Sequence, residues 1–153
     1  MKRTKEALKW IVSILKKHKI PYQITGGFAA KIYGSKRPLW DIDIAIPEKD
    51  FQKILPEVKK QIQFGPEKIM GKKFRALCMG LKYKGQVIEI DGAKTKVFDR
   101  KTEKWRSIKY DFSKSEVRKI YSMNIPVIPK ELLIKYKKVL SRRVDLQDIK
   151  DLS

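Results

Sequence analysis

The chain has 153 residues, of which 42% are hydrophobic, and its 37 lysines and arginines against 17 acidic residues give a formal net charge of +20. A single cysteine, Cys78, and a single histidine, His18, exclude an internal disulfide and zinc sites built from cysteine and histidine. Any bound metal must therefore be held by oxygen, which favours magnesium or manganese.

The length and the hydropathy pattern indicate the class of protein. The chain is long enough to bury a core, and no Ser-, Pro- or Gly-rich stretch divides it, so we expect a single domain over residues 1–153. It has no run of about 18 apolar residues, and its basic start leads into a charged periodic segment unlike a signal peptide. We therefore expect a soluble, cytoplasmic protein that does not contact the membrane. The sequence leaves the oligomeric state open.

The positive charge predicts an acidic partner. A field of this sign attracts RNA, DNA and nucleotides. Lysine outnumbers arginine, however, and lysine is a hydrated point charge that lacks the bidentate geometry of arginine. Binding of RNA or DNA through the basic surface is thus one expectation, and a lysine-rich surface that is merely well solvated is the alternative.

The first half of the chain alternates between helical and extended patterns. An amphipathic helix is expected before Pro21, then a short strand over residues 22–24, a glycine break and a short helix over residues 28–33. Strict alternation predicts a half-buried strand over residues 40–46. Helical spacing returns over residues 51–62, where an internal proline should kink or split the helix.

The second half is predicted to begin with an antiparallel hairpin. Its strands are expected over residues 74–83 and 87–90, joined by a Lys-Gly turn. Residues 97–110 are basic and have no clear pattern. A further strand is expected over residues 124–128, followed by a helix that begins at a proline and by a last short helix from Val144.

Paired carboxylates lie on single faces of two predicted strands. Because successive side chains alternate, Asp41 and Asp43 point to one face while the isoleucines between them point to the other. In the second strand Glu89 lies between two isoleucines, and Asp91 shares its face at the strand end. An amphipathic strand with one wet face explains each pattern alone. Three converging carboxylates after a glycine turn instead favour a two-metal site, where cations offset their repulsion.

These motifs resemble those of a known family. The residues that carry the resemblance are Ile24-Thr25-Gly26-Gly27-Phe28-Ala29-Ala30, Tyr33-Gly34, Arg37-Pro38 and Asp41-Ile42-Asp43-Ile44. Together they look like the glycine motif, short helix and paired-aspartate strand of the nucleotidyltransferase superfamily of the polymerase-beta type, especially its small stand-alone members. The resemblance implies an α+β fold, with a nucleotidyltransferase-like mixed β-sheet and helices packed mainly on one side. It also implies magnesium or manganese and a nucleoside triphosphate.

The resemblance assigns roles to individual residues. The expected metal ligands and catalytic carboxylates are Asp41, Asp43 and Glu89, with Glu89 as a candidate base. The residues expected to bind the triphosphate are Gly26, Gly27, Lys36, Arg37 and Lys137. For each of the three cations, a plain solvated charge is the alternative. Asp91 is the alternative third ligand, but its place beside a glycine at the strand end also suits a turn.

The implied activity is transfer of a nucleoside monophosphate from a nucleoside triphosphate to an acceptor that the sequence does not identify. Two alternatives remain at this point. One is a non-catalytic nucleic-acid-binding domain, in which the aspartates form a wet strand face. The other is an inactive nucleotidyltransferase-like subunit that binds a partner, because a fold does not by itself imply an activity.

Overall fold

Across residues 2–153, which it describes, the computed structural model contains five α-helices and nine β-strands. The helices are α1 (Lys2–Lys17), α2 (Gly26–Tyr33), α3 (Phe51–Val58), α4 (Lys130–Leu140) and α5 (Arg143–Leu152). The strands are β1 (Gln23–Ile24), β2 (Asp41–Ile46), β3 (Ile62–Met70), β4 (Phe74–Tyr83), β5 (Gln86–Gly92), β6 (Lys96–Asp99), β7 (Lys104–Ser107), β8 (Glu116–Ile120) and β9 (Met123–Val127). No helix of this part of the chain is long and apolar enough to cross a bilayer.

All nine strands join one mixed sheet. Eight of them follow the order β7-β6-β4-β5-β2-β1-β9-β8. The ninth strand, β3, lies outside this order and pairs with β4. In the centre, β2 runs parallel to β5 and antiparallel to β1, and β1 runs parallel to β9. The mixed sheet predicted from the resemblance is confirmed, and the two strands that carry the carboxylates are direct neighbours.

The main core covers one face of this sheet. The apolar side of α1 and the buried residues of α2 and α3 pack with four isoleucines that are fully buried. These are Ile42 and Ile44 of β2 and Ile88 and Ile90 of β5. Because the isoleucines occupy the core face, the carboxylates that alternate with them are left on the opposite face. The predicted α+β arrangement is thereby confirmed, and α4 and α5 stand beside the carboxylate face.

The predicted hairpin of β4 and β5 is confirmed. Tyr83 pairs with Gln86, and the two residues between them, Lys84 and Gly85, have φ values of 47° and 86°. Two successive positive φ values are those of a type I′ turn, whose twist matches that of the flanking strands. This turn fixes the register of β5 and therefore the face on which Glu89 lies.

The structure differs from the sequence prediction in three regions. The helix predicted over residues 51–62 ends at Val58, and Ile62 already belongs to β3. The basic stretch without a pattern contains the hairpin of β6 and β7, and β8 precedes the predicted last strand. Most side chains of β3, β7 and β8 are exposed or half-buried. Their sequences therefore lack the alternation that identifies a strand with one buried face.

Candidate functional site

Three carboxylates converge where β2 and β5 run side by side. The parallel register places Asp43 beside Glu89, and Asp41 lies two residues earlier on the same face of β2. One carboxylate oxygen from each of the three residues lies within 4.8 Å of those of the other two. The structure thus brings together the three residues predicted as metal ligands.

Within residues 2–153, no lysine, arginine or histidine forms an ion pair with Asp41, Asp43 or Glu89. Burial, followed by the charges of Glu89 and other neighbouring carboxylates, raises the pKa of Asp43 well above its usual range. Burial is also the largest cause of the raised pKa of Glu89, and it raises the pKa of Asp41. Close oxygen ligands without a counter-charge have the donor chemistry that a hard divalent cation requires.

The start of α2 holds Asp43 through backbone hydrogen bonds. The N–H of Gly27 donates to Asp43 Oδ2 at 2.9 Å, and the N–H of Phe28 donates to the same oxygen at 3.4 Å. Gly26 has a φ of 56°, and a Cβ at Gly26 would lie 2.7 Å from Asp43 Oδ2. A Cβ at Gly27 would make only ordinary contacts, the nearest at 3.5 Å. The two glycines therefore begin the helix, and Gly26 permits its close approach to Asp43.

Asp91 lies next to Glu89 and lines the same cavity, but it is not grouped with Asp41 and Asp43. It pairs across the sheet with Cys78, it is only 9% exposed, and its Oδ1 has no hydrogen-bond partner among the described residues. Burial, followed by the charge of Glu89, raises the pKa of Asp91 to about 7. The Asp91 carboxylate forms a cluster with Cys78 and Glu89, whereas Asp41 and Asp43 form a cluster with Glu89. This grouping supports Glu89 as the third ligand, and the assignment stays a prediction.

The carboxylates line a cavity of about 370 Å³ between the sheet and the last two helices. This volume lies within the range of small-molecule binding sites, which is about 300 to 1,000 Å³. Tyr110, Tyr136 of α4 and Arg142, which immediately precedes α5, line it as well. Trp40 also lines the cavity, yet the residue is 71% exposed, so it lies at the rim.

The structure places the three predicted triphosphate-binding cations differently. Arg37 and Lys137 line the cavity, whereas Lys36 is exposed and does not line it. The Arg37 guanidinium donates to both oxygens of Asp148, at 2.7 Å and 2.6 Å. Lys137 Nζ lies 2.9 Å from Asp148 and 3.3 Å from Asp145. Two of the predicted cations are thus oriented by carboxylates of α5.

Asp145 and Asp148 complete a buried ion-pair network. Both residues are fully buried, and Asp145 also accepts hydrogen bonds from the Arg142 guanidinium. Burial acts to raise the pKa of Asp148, but hydrogen bonds from Arg37, Lys137 and Ser35 outweigh it and lower this pKa to about 2. Asp148 is therefore ionised at neutral pH, and the network is held together by charge-assisted hydrogen bonds.

Comparison with solved structures places this geometry in a known fold. No protein-family model matches the sequence, and no curated protein sequence matches it significantly. Protein TM1012 of Thermotoga maritima, described as a nucleotidyltransferase, matches with a TM-score of 0.74 at 20% identity, covering 95% of this chain and 89% of that one. The lincosamide antibiotic adenylyltransferase LnuA, bound to lincomycin, matches with a TM-score of 0.61 at 18% identity, covering 96% and 94%. The antibiotic-resistance factor ANT(2″)-Ia matches with a TM-score of 0.62 at 14% identity, covering 97% and 80%. The chain has the nucleotidyltransferase fold.

Within this nucleotidyltransferase fold, the site contains residues to which the sequence assigned no role. Arg142, Tyr110 and Tyr136 line the cavity, and Asp145 and Asp148 hold its cations. The signal for the two aspartates is their spacing of three residues on α5, which puts both on one helix face. The two tyrosines give no such local signal, because distant parts of the chain bring them to the cavity.

Proposed function

We propose that the chain is a magnesium- or manganese-dependent nucleotidyltransferase that transfers a nucleoside monophosphate from a nucleoside triphosphate to a hydroxyl group of an acceptor. The observation that carries this proposal is the cluster of Asp41, Asp43 and Glu89, which lines a cavity in the nucleotidyltransferase fold without any paired cation among residues 2–153. Buried charges without partners are costly, so such a cluster fits a ligand that supplies positive charge.

Each carboxylate has a proposed role. Asp41, Asp43 and Glu89 hold the divalent cations, and the N–H groups of Gly27 and Phe28 orient Asp43 for this task. When bound, the cations supply positive charge that neutralises the transferred phosphate and the leaving pyrophosphate. Glu89 accepts the proton of the attacking hydroxyl, which its raised pKa favours.

The proposed triphosphate-binding residues are Gly26, Gly27, Lys36, Arg37 and Lys137. Arg37 and Lys137 reach the cavity wall in fixed positions because Asp148 holds both. Arg142 lines the same cavity, so its guanidinium is a third cation beside those of Arg37 and Lys137. Because these cationic side chains are already oriented, they stabilise the negative charge of the transition state and need not reorient during the reaction. Lys36 contributes from outside the cavity lining, as a long-range charge on the triphosphate.

Thermal unfolding tests this function. Because a ligand that binds only the native state stabilises it, one of the four common nucleoside triphosphates with magnesium should raise the Tm of the wild-type protein. The double variant Asp41→Asn/Asp43→Asn should lose this shift and the release of pyrophosphate. The matched control Glu103→Gln/Glu131→Gln removes two exposed carboxylates outside the cavity and should respond as the wild type does. A normal response of the Asp41→Asn/Asp43→Asn protein would place the site elsewhere.

A further inference from the structure

One end of the sheet is densely basic. Residues 72–75 and 94–109, which we call the basic ledge, carry ten lysines and arginines and only two acidic residues. One of these acids, Asp99, is buried and pairs with Arg106. The ledge comprises the β6–β7 hairpin and the start of β4, which pairs with β6. β7 is an edge strand of the sheet, so the ledge faces solvent along one side.

The ledge also carries aromatic side chains among its cations. Phe98 and Trp105 pair across the hairpin, with ring centroids 5.4 Å apart in an edge-on arrangement. The Arg75 guanidinium lies 3.9 Å from the centre of the Trp105 ring. Arg75 Nε is shielded from solvent and has no acceptor among residues 2–153. An indole, a phenyl ring and a guanidinium plane therefore form one half-buried platform.

The ledge borders the cavity on one face of the sheet. Phe74, Ile108 and Tyr110 flank its strands and line the cavity. The N–H of Ile108 donates to the carbonyl oxygen of Thr95 at 2.8 Å, and the N–H of Lys109 donates to the hydroxyl of Tyr136 at 2.9 Å. The second bond ties the end of the ledge to α4. The pairings of Phe74 with Val97 and of Phe98 with Trp105 put the aromatic platform on the sheet face opposite to Phe74. A strand bound on the platform therefore crosses the edge strand β7 to reach the carboxylates.

We propose that the basic ledge binds single-stranded nucleic acid, whose terminal hydroxyl is the acceptor in the transfer reaction. This inference rests on the function proposed above and names its acceptor. Cations in a row neutralise backbone phosphates, and flat aromatic groups stack on bases, which together are the means by which proteins hold single strands. An acidic protein would satisfy the cations but would leave the Trp105 platform without a flat partner.

The reaction balances without any further reactant. The oxygen of the terminal hydroxyl bonds to the α-phosphorus of the triphosphate, and the bond from this phosphorus to the bridging oxygen breaks. Pyrophosphate leaves with the electron pair of that bond, and the hydroxyl proton passes to a site carboxylate and then to solvent. The strand becomes one nucleotide longer, and each transfer releases one pyrophosphate.

Binding is tested first, by fluorescence anisotropy with ten-nucleotide RNA and DNA strands at several salt concentrations. The ledge variant replaces four exposed cations by glutamine, namely Lys96, Arg100, Lys101 and Lys104. Its matched control replaces four exposed lysines of α1 by glutamine, namely Lys2, Lys5, Lys9 and Lys16. The ledge variant should bind at least about tenfold more weakly. In a plot of the logarithm of the binding constant against the logarithm of the salt concentration, its slope should be less steep by about 0.7 for each phosphate that it no longer neutralises. The α1 control should stay near wild type.

The aromatic platform is tested separately from the charge. Trp105→Ala removes a stacking surface and should weaken binding about tenfold, whereas Trp105→Phe should retain most of the affinity. Circular dichroism and thermal unfolding check that both variants fold. Competition by polyglutamate matched in charge to the strand should be weak. Equal losses in the ledge and α1 variants, or competition by polyglutamate as strong as by the strand itself, would overturn nucleic-acid binding by the ledge.

Transfer is tested with labelled triphosphate and the same strands. The strand should gain one labelled nucleotide, the ledge variant should lose at least about tenfold in kcat/KM for the strand, and a strand with a blocked terminal hydroxyl should gain none. RNA and DNA arms identify which strand reacts. If triphosphate and magnesium raise the Tm but neither strand is extended, the acceptor assignment is wrong while the proposed function stands. If the Tm does not respond, the proposed function itself fails.

Discussion

Two clusters of carboxylates lie near the same cavity, a half-buried one on β2 and β5 and a fully buried one on α5, and they differ in how their charge is balanced. Asp145 and Asp148 on α5 are paired with Lys137, Arg37 and Arg142. The cluster of Asp41, Asp43 and Glu89 has no ion pair within residues 2–153, and backbone N–H groups hold Asp43 in place. Burial costs free energy in both clusters, but only in the α5 network do cations of the protein offset part of this cost.

The difference in charge balance suggests that the α5 network stabilises the fold and that the β2–β5 cluster binds a ligand. The α5 network is complete within the protein, so its removal should damage the fold. In the proposed function a cation completes the β2–β5 cluster, so removal of this cluster should spare the fold and abolish ligand binding. The pKa values follow the same division, since that of Asp148 is lowered to about 2 and that of Asp43 is raised well above its usual range.

The largest effect is expected from breaking the paired network. Asp148→Asn leaves the buried cation Lys137 and the guanidinium of Arg37 without their shared counter-charge. Removal of one partner from a buried ion pair costs about 3–5 kcal/mol. Urea unfolding at neutral pH should show this loss of free energy of unfolding.

The companion variant Asp43→Asn should act in the opposite direction. It removes a half-buried negative charge that has no ion-pair partner among residues 2–153 and keeps an oxygen for the N–H of Gly27. In the absence of metal, the free energy of unfolding should therefore stay the same or rise by on the order of 1 kcal/mol. A loss as large as that of Asp148→Asn would erase the distinction between the two clusters.

A smaller loss of stability is expected from changes at Gly26, whose backbone approaches Asp43 closely. Gly26→Ala forces a side chain into a φ of 56° and toward Asp43, at a cost of about 2 kcal/mol. Gly27→Ala meets only ordinary contacts in a helical position, where alanine is favoured over glycine by about 0.5–1 kcal/mol. Thermal unfolding should show a lower Tm for the first variant and an unchanged or higher Tm for the second. Equal losses in both would mean that the approach to Asp43 has no special role.

The last effect concerns the pH dependence of stability. Burial and the charge of Glu89 raise the pKa of Asp91 to about 7, whereas in the unfolded chain it is about 4. Between these values the folded state keeps a proton that the unfolded state has lost, so this contribution to stability falls as pH rises. Asp91→Asn does not titrate, so its stability relative to wild type should rise with pH, by up to about 4 kcal/mol between pH 4 and pH 8. Urea unfolding across this range measures the difference in free energy of unfolding between Asp91→Asn and the wild type. A difference that does not change with pH would contradict the raised pKa of Asp91.

Local patterns in the sequence predict the parts of the site that single strands and turns create. Alternation places Asp41 and Asp43 on one face of β2, and the glycines mark the close approach of α2. Sequence does not show that β2 and β5 are parallel neighbours, because Asp43 and Glu89 lie far apart in the chain and their register depends on the whole sheet. The bond between Arg37 and Asp148 joins residues 111 positions apart, so no local pattern predicts it.

The central claim is that Asp41, Asp43 and Glu89 together bind a divalent cation, and titration with manganese tests it most directly. Calorimetry should show that the wild-type protein binds Mn²⁺, that Asp43→Asn and Glu89→Gln each weaken this binding by at least about tenfold, or about 1.4 kcal/mol, and that Asp91→Asn binds almost as the wild type does. Wild-type affinity in the Asp43→Asn and Glu89→Gln proteins would contradict the account. So would a severe loss in Asp91→Asn with Glu89→Gln near wild type.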